Sequence, residues 1–332
     1  MASFPRTHLN FLIGLIISAA AVFLSLRKID FTALWASLQS VNHLWLIPAL
    51  AGQISCFVLK GIGWRYLLLP AKKGLRVTSA ITVLIIGLMV NNLFPAKMGE
   101  LARGYLMGER EKLPKTLCLS TVAVEHLLDI LVLTTFLLIL MPSVSLPPWL
   151  RTSGTLVGTA ALGIIVVLFF VVRREEKFLG WVGNLLTRLP ARFREKIQSV
   201  LNHVFQGLRV VTGRYIFYTL AALLSMWLMA FLVAYLVFAA CGLILPFQAA
   251  VMVVVFAAFG KIIPSSPGAI GTFHYLVILV LMSFQVSKEA ALGYAIVLHA
   301  LSFLMETSLG VALVFAGNLS LGRVARRAEE LQ

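Results

Sequence analysis

The sequence predicts an all-α polytopic membrane protein, with about six spanning helices and two re-entrant helical hairpins related as a pseudo inverted repeat. Three observations predict it. Of 332 residues, 60% are apolar and only 12% are Asp, Glu, Lys or Arg, against about 25% in an ordinary soluble domain; mean hydropathy is +0.95. The apolar residues fall in blocks long enough to cross a bilayer as helices. Basic residues gather between particular blocks, and two blocks run into proline and glycine. This excludes a soluble globular enzyme, a disordered chain and a repeat scaffold. A strand reading fails because the blocks lack period-two alternation.

The first block, residues 9–26, follows Arg6 and His8 and carries no small-residue cleavage site, so it is expected to be a retained helix and not a cleaved signal. The next, 44–59, is a second span. The third, 77–94, is the informative one. Residues 60–76 hold Lys60, Arg65, Lys72, Lys73 and Arg76, and residues 95–117 hold five more basic residues. Cytoplasmic loops collect Lys and Arg, so both ends of 77–94 ask for the same side. The simplest solution is that the segment turns near Pro95 and returns through 98–113 as a re-entrant hairpin. The alternative is an extracellular N-terminus with 60–76 outside, which misplaces five basic residues. Blocks 118–140 and 153–172 are then ordinary crossings, and they place 173–215, with nine basic residues, in the cytoplasm.

Block 216–240 crosses again. Residues 249–263 lead into Lys261-Ile262-Ile263-Pro264-Ser265-Ser266-Pro267-Gly268, which no continuous helix accommodates. A second hairpin entered from outside lets 290–316 finish in the cytoplasm beside Arg323, Arg326 and Arg327. Both termini are then cytoplasmic, with 23 of the 28 basic residues inside and Lys261 within the membrane. Pro95-x-x-x-Gly99 and Pro264-x-x-x-Gly268 share their spacing, one in each hairpin. Broken helices entering from opposite sides and meeting near the midplane are the pattern of inverted-repeat transporters.

The net charge of +15 fits cytoplasmic membrane loops better than nucleic acid, because no aromatic-interleaved basic module accompanies it. Cys56, Cys118 and Cys241 lie far apart and support neither a disulfide framework nor a zinc site. Within 173–215, a stripe through Phe178, Trp181, Leu185 and Leu189 and another through Phe193, Ile197, Val200 and Val204 suit helices lying on an anionic inner leaflet.

An ionisable group at the bilayer centre costs about 2.5–3.5 kcal/mol on insertion scales, so each needs an explanation. The densest group surrounds the first break. Pro95 and Gly99 interrupt the helix, and Asn91 and Asn92 can satisfy freed backbone groups. Lys97 and Arg103 bring positive charge, and Glu100, three residues from Arg103, shares its face. With the N–H groups of the restarting helix they form a cradle for an anionic headgroup, or else an ion-paired helix that holds the hairpin at the interface. Glu125 and Asp129, four apart beside His126, either see water, pair with Arg103 or Lys97, or carry protons. His299, Ser302 and Glu306 share a face; Glu306 either pairs with Lys261 or lines a cavity. Ser265, Ser266, Thr272 and His274 surround the second break and either cap helix ends or hydrogen-bond a substrate.

The run Asn91-Asn92-Leu93-Phe94-Pro95-Ala96-Lys97-Met98-Gly99-Glu100-Leu101-Ala102-Arg103 resembles the NN-x-x-P-x-x-x-GE-x-x-R signature of the lysylphosphatidylglycerol synthase transmembrane-region family, the flippase-like domain. Pro264 to Gly271 resembles its P-x-x-PGG-x-G signature, and Glu125-His126-x-x-Asp129 its ER-x-x-D element. The family often has a second Gly where Ala269 stands, an acidic residue where His274 stands, and Arg where His126 and His299 stand. The resemblance implies a helical bundle with re-entrant segments around a lipid-accessible cavity, in a bacterial-type inner membrane. It makes residues 1–332 a single transmembrane flippase-like domain, with 173–215 a basic amphipathic cytoplasmic loop inside it. Bifunctional members append a soluble aminoacyl-transferase; this chain is expected to carry the translocation half alone.

The expectation is a lipid flippase or transporter, not an enzyme, with no cofactor and no metal. Its partners would be membrane lipid and the anionic inner-leaflet surface. The substrate-binding set is Asn91, Asn92, Pro95, Lys97, Gly99, Glu100, Arg103, Pro264, Ser265, Ser266, Gly268 and His274; Glu125, His126, Asp129, Lys261, His299 and Glu306 line the path or couple protons. In this reading Lys97 and Arg103 receive the headgroup and Glu100 orients Arg103. The alternative is a non-transporting accessory protein that presents lipid to an enzyme of glycolipid, polyprenyl or hopanoid metabolism. An intramembrane enzyme would need Glu125 and Asp129 as acid and base, with no nucleophile beside them. Lacking an ATP-binding motif, transport would run on a gradient or downhill.

Overall fold

Helix boundaries follow the apolar blocks, with the breaks where proline and glycine put them. The computed structural model describes residues 6–94, 97–144, 148–186, 197–198, 205, 213–262 and 266–317, and among these there are helices and turns and no strand. Helix α1 is Arg6–Leu26 and α2 is Phe31–Gln39. The latter is a short element that the sequence pattern did not announce. Asp30 starts it by accepting from the backbone N–H groups of Thr32 and Ala33, the usual way a helix N-terminus satisfies its free donors. Then come α3 (Leu46–Leu68), α4 (Val77–Leu93), α5 (Met98–Glu111), α6 (Lys115–Leu140), α7 (Pro148–Arg173) and α8 (Glu175–Leu186). The chain continues through α9 (Tyr215–Ala240), α10 (Phe247–Ile262), α11 (Thr272–Ser283) and α12 (Lys288–Ala316).

Among the described residues, four stretches are long and apolar enough to cross a membrane: His43–Leu68, Lys115–Leu140, Tyr215–Ala240 and Lys288–Ala316. Large apolar side chains such as Ile47, Ile164, Phe170, Phe217, Leu228 and Leu304 lie on the outside, as lipid-facing residues do. Helix α8 covers the first amphipathic stripe of the basic loop as far as Leu186; Leu189 lies outside the described residues. The second stripe, apart from isolated positions, and the C-terminal arginines lie outside the described residues, as do Pro95, Pro264 and Ser265.

Helices α4, α5, α10 and α11 have 17, 14, 16 and 12 residues, short of the roughly 20 a crossing needs. They form two hairpins. In the first, Lys97 adopts a left-handed conformation at φ 54°, and α5 folds back on α4. The two helices touch at glycines: a methyl on Gly99 would stand 1.9 Å from the Gly87 carbonyl, and one on Gly87 would stand 2.3 Å from Arg103 Cγ. In the second, Gly268 and Gly271 take φ +68° and +97°, and Gly260 near the end of α10 packs against Thr272 and Leu276 at the start of α11.

Helix α12 lies between the hairpins. Met89 of α4 packs at Gly310 and Asn92 at Glu306, so the first hairpin rises along the C-terminal half of α12. Phe303 packs at Gly268 and His299 meets His274, so the second hairpin covers the N-terminal half. The tips meet where Gly268 approaches the Asn92 carbonyl. The buried side chains divide in the same way. One core joins α3, α4, α5 and the first halves of α6 and α9; the other joins the second halves of α6 and α9 with α10, α11 and the start of α12. Each hairpin thus fills one half of the thickness, and α6 and α9 run through both.

Lys60 ends the apolar block and the sequence places it in the cytoplasmic loop, but α3 continues eight residues past it to Leu68. Lys60 and Arg65 are therefore helix residues. Arg65 Nε donates to the Leu75 carbonyl at 2.7 Å, and Lys60 turns inward.

Candidate functional site: a neutralised charge network and two helix breaks

The charged groups collect where one half-core gives way to the other. Spacing of four residues builds the first cluster: Lys60 and Trp64 on α3 face Thr121, Glu125 and Asp129 on α6, because residues i and i+4 share a helix face. Lys60 Nζ lies 2.6 Å from Asp129 Oδ2 and 3.2 Å from Glu125 Oε1. From α5, Arg103 reaches Glu125 Oε2 at 2.5 Å, with its guanidinium 4.3 Å from the Trp64 ring centroid. Trp64 Nε1 donates to Thr121 Oγ1 at 3.1 Å, and Trp227 Nε1 of α9 donates to Asp129 Oδ1 at 2.8 Å. Two cations meet two carboxylates, so the cluster is neutral as a whole. It ties four helices together, and Glu125 and Arg103 within it are almost fully buried.

This settles which expected pairs form. Arg103 pairs with Glu125 and not with Glu100; Glu100 Oε1 instead lies 3.2 Å from His126 Nε2. The Arg103 guanidinium is buried on Trp64 and against Glu125, and its Nε has no hydrogen-bond partner among the described residues. Lys97 is exposed at the first break, beside the half-buried Asn91, Asn92 and Glu100. Asn91 Oδ1 accepts from the Gly99 N–H at 2.8 Å, capping the restarted helix.

Around the second break, Ser266 N–H donates to Ser18 Oγ of α1 at 2.7 Å. His274 Nε2 and His299 Nδ1 stand 3.4 Å apart, so one imidazole donates to the other, and the His299 ring packs between Phe273 and Phe303. Lys261 is exposed near Phe273 and does not pair with Glu306. Glu306 accepts from Asn92 Nδ2 at 2.8 Å instead, which links the first hairpin to α12.

At the open end of the first hairpin, beyond the spanning segments, Lys72 Nζ lies 2.7 Å from Glu111 Oε2. Partial burial pushes the Glu111 carboxyl up, but bonding from Lys72 and Ser79 outweighs this and holds it below the ordinary carboxylate range. Sequence reasoning missed Lys60, Trp64, Trp227 and Thr121. The available signal was the i, i+4 stripe Cys56, Lys60, Trp64 continuing past the end of the apolar block. Nothing local marks Trp227, whose partner is 98 residues away.

The lysylphosphatidylglycerol synthase TM region family model matches residues 11–310. A UPF0104 membrane protein of Methanothermobacter thermautotrophicus is 24% identical over 70% of this chain and 73% of its own length. Another, from Methanocaldococcus jannaschii, is 21% identical over 69% of this chain and 94% of its own. The glycosyltransferase AglD of Haloferax volcanii is 22% identical over 96% of this chain, and the match spans 56% of that protein.

Proposed function

The chain belongs to the lysylphosphatidylglycerol synthase TM region family, and on that premise we propose that it moves a lipid with an anionic or polar headgroup between leaflets, without covalent chemistry. The observation that carries this reading is the meeting of two broken-helix hairpins at mid-depth along α12, with polar groups at both breaks. Backbone interrupted inside a membrane is tolerated where protein or water satisfies it, and such breaks are where transporters bind. In this reading the headgroup meets Lys97, Asn91, Asn92 and the Glu100–His126 pair. Arg103, Glu125, Lys60 and Asp129 position the helices around it. The acyl chains stay against the apolar exterior. The protein sits in a bacterial-type inner membrane with both termini cytoplasmic.

The test is purification of wild type and Lys97→Ala/Asn91→Ala in mild detergent, with mass spectrometry of bound lipid, followed by reconstitution with a fluorescent lipid carrying the same headgroup. One enriched class, lost in the variant and translocated above the protein-free rate, supports the reading. Bulk lipid in both samples and no translocation refute it. AglD, a relative named as a glycosyltransferase, favours a second reading: an accessory that presents lipid to an enzyme of glycolipid, polyprenyl or hopanoid metabolism. A protein that captures such an enzyme through 177–210, and moves no lipid, fits that reading instead.

A further inference from the structure

Among the described residues three carboxylates are buried near mid-depth, and two of them are answered by side-chain cations. Glu125 and Asp129 face Arg103 and Lys60. Glu306 is 8% exposed and is met by an amide, Asn92 Nδ2. Among the described residues no lysine or arginine reaches it. Asn92 stands in the last turn of α4, and the closing carbonyls of a helix carry about half an elementary negative charge. Val90 is the carbonyl that Phe94 N–H satisfies, at 2.8 Å. The Asn91 carbonyl would take its donor from residue 95, which is Pro95 and has no N–H. Glu306 thus meets the last turn of α4 through Asn92, inside a membrane, and no lysine or arginine among the described residues pairs with it.

We propose that Glu306, the Thr307 hydroxyl and the closing carbonyls of Asn91 and Asn92 form a binding site for a monovalent alkali cation, with Na⁺ as its occupant. The donors are all oxygen, which suits a hard cation. With Glu306 ionised, one monovalent ion leaves the site neutral, whereas a divalent ion would overcompensate. Thr307 Oγ1 lies 3.5 Å from Asn92 Nδ2, so the hydroxyl belongs to the same group. A methyl on Gly268 would come within 3.7 Å of the Asn92 carbonyl, so the second hairpin closes over this end of α4. An ion here clamps α4, α12 and the second hairpin together. Its use as the driving gradient rests on the transport reading; the binding itself does not.

The experiment is thermal unfolding of the purified full-length protein in detergent, with NaCl replacing choline chloride at constant ionic strength and pH. The expected result is a saturable rise of several degrees with Na⁺ in wild type. Glu306→Gln, which keeps an acceptor for Asn92, abolishes the rise. Thr307→Val shifts the half-saturating Na⁺ concentration up about tenfold, about 1.4 kcal/mol, and gives a second reading should Glu306→Gln fail to fold. Identical unfolding in NaCl and choline overturns the site, as does a Na⁺ response that survives Glu306→Gln. Stabilisation that follows pH alone and ignores Na⁺ also overturns it, in favour of a proton. Because no lipid movement is measured, Na⁺ binding by a protein that fails the translocation assay retains the site and removes the transport reading.

Discussion

Replacing Lys60 by methionine keeps the length of the side chain and removes its charge. The ammonium lies 2.6 Å from Asp129 and 3.2 Å from Glu125. At an effective dielectric near 20 these contacts give gross attractions of about 6 and about 5 kcal/mol, much of which offsets the desolvation of the ions. After the change, Glu125 still has Arg103 and Asp129 still has the Trp227 N–H, but two carboxylates share one cation. Breaking a buried pair by removing one partner costs about 3–5 kcal/mol. At about 2 °C per kcal/mol for a long chain, heat unfolding in detergent, followed by tryptophan fluorescence, is expected about 6–10 °C lower. The double variant Lys60→Met/Asp129→Asn restores neutrality and is expected to lose about 2 kcal/mol less than the sum of the single changes. A single variant as stable as wild type, or a double variant whose loss is the plain sum, would refute the idea of a charge-balanced lock.

Three further outcomes are expected. Gly99→Ala places a methyl 1.9 Å from the Gly87 carbonyl, so it should destabilise by about 3 kcal/mol or more through overpacking, whereas Gly163→Ala, with nothing within 4 Å, should be neutral or slightly stabilising. Trp227→Phe leaves Asp129 Oδ1 without its 2.8 Å donor and should lower stability by about 1–3 kcal/mol, measured by the same melt. The Asp30 carboxyl is held below its ordinary range by the Thr32 hydroxyl and then by the Ala33 and Thr32 N–H groups; its contribution is complete above the unfolded value of about 3.9 and is lost as pH falls through the lower folded value. Asp30→Asn should therefore flatten that acid-side fall, and an unchanged melting temperature against pH profile in the variant would contradict the cap.

The two hairpins were legible because proline and glycine act locally. Pro95 removes an N–H whatever surrounds it, and Gly268 and Gly271 take backbone angles that other residues resist. Proline and glycine located the breaks, whereas two of the basic residues that the sequence assigns to the first loop, Lys60 and Arg65, lie within α3. That error had a physical source: a charge at the end of an apolar block reads as a boundary, and only its partners show that the helix goes on. The pairing of charges was less legible. Glu100 and Arg103 sit three apart on one helix, yet each takes a partner from α6, because α5 packs its polar face on that helix.

The sequence by itself determined the class of the protein, the number and order of its apolar segments, and the positions of both breaks. These depend on composition, on segment length and on single residues whose backbone chemistry is their own. Tertiary structure alone decided that Lys60 and Trp227 complete a neutral network, that Arg103 is buried in it, and that Glu306 meets the closing end of α4. Those contacts join residues 22 to 214 positions apart. Which cation answers which carboxylate depends on the helices brought within a few ångströms, and helix packing is a property of the assembled bundle rather than of any one segment.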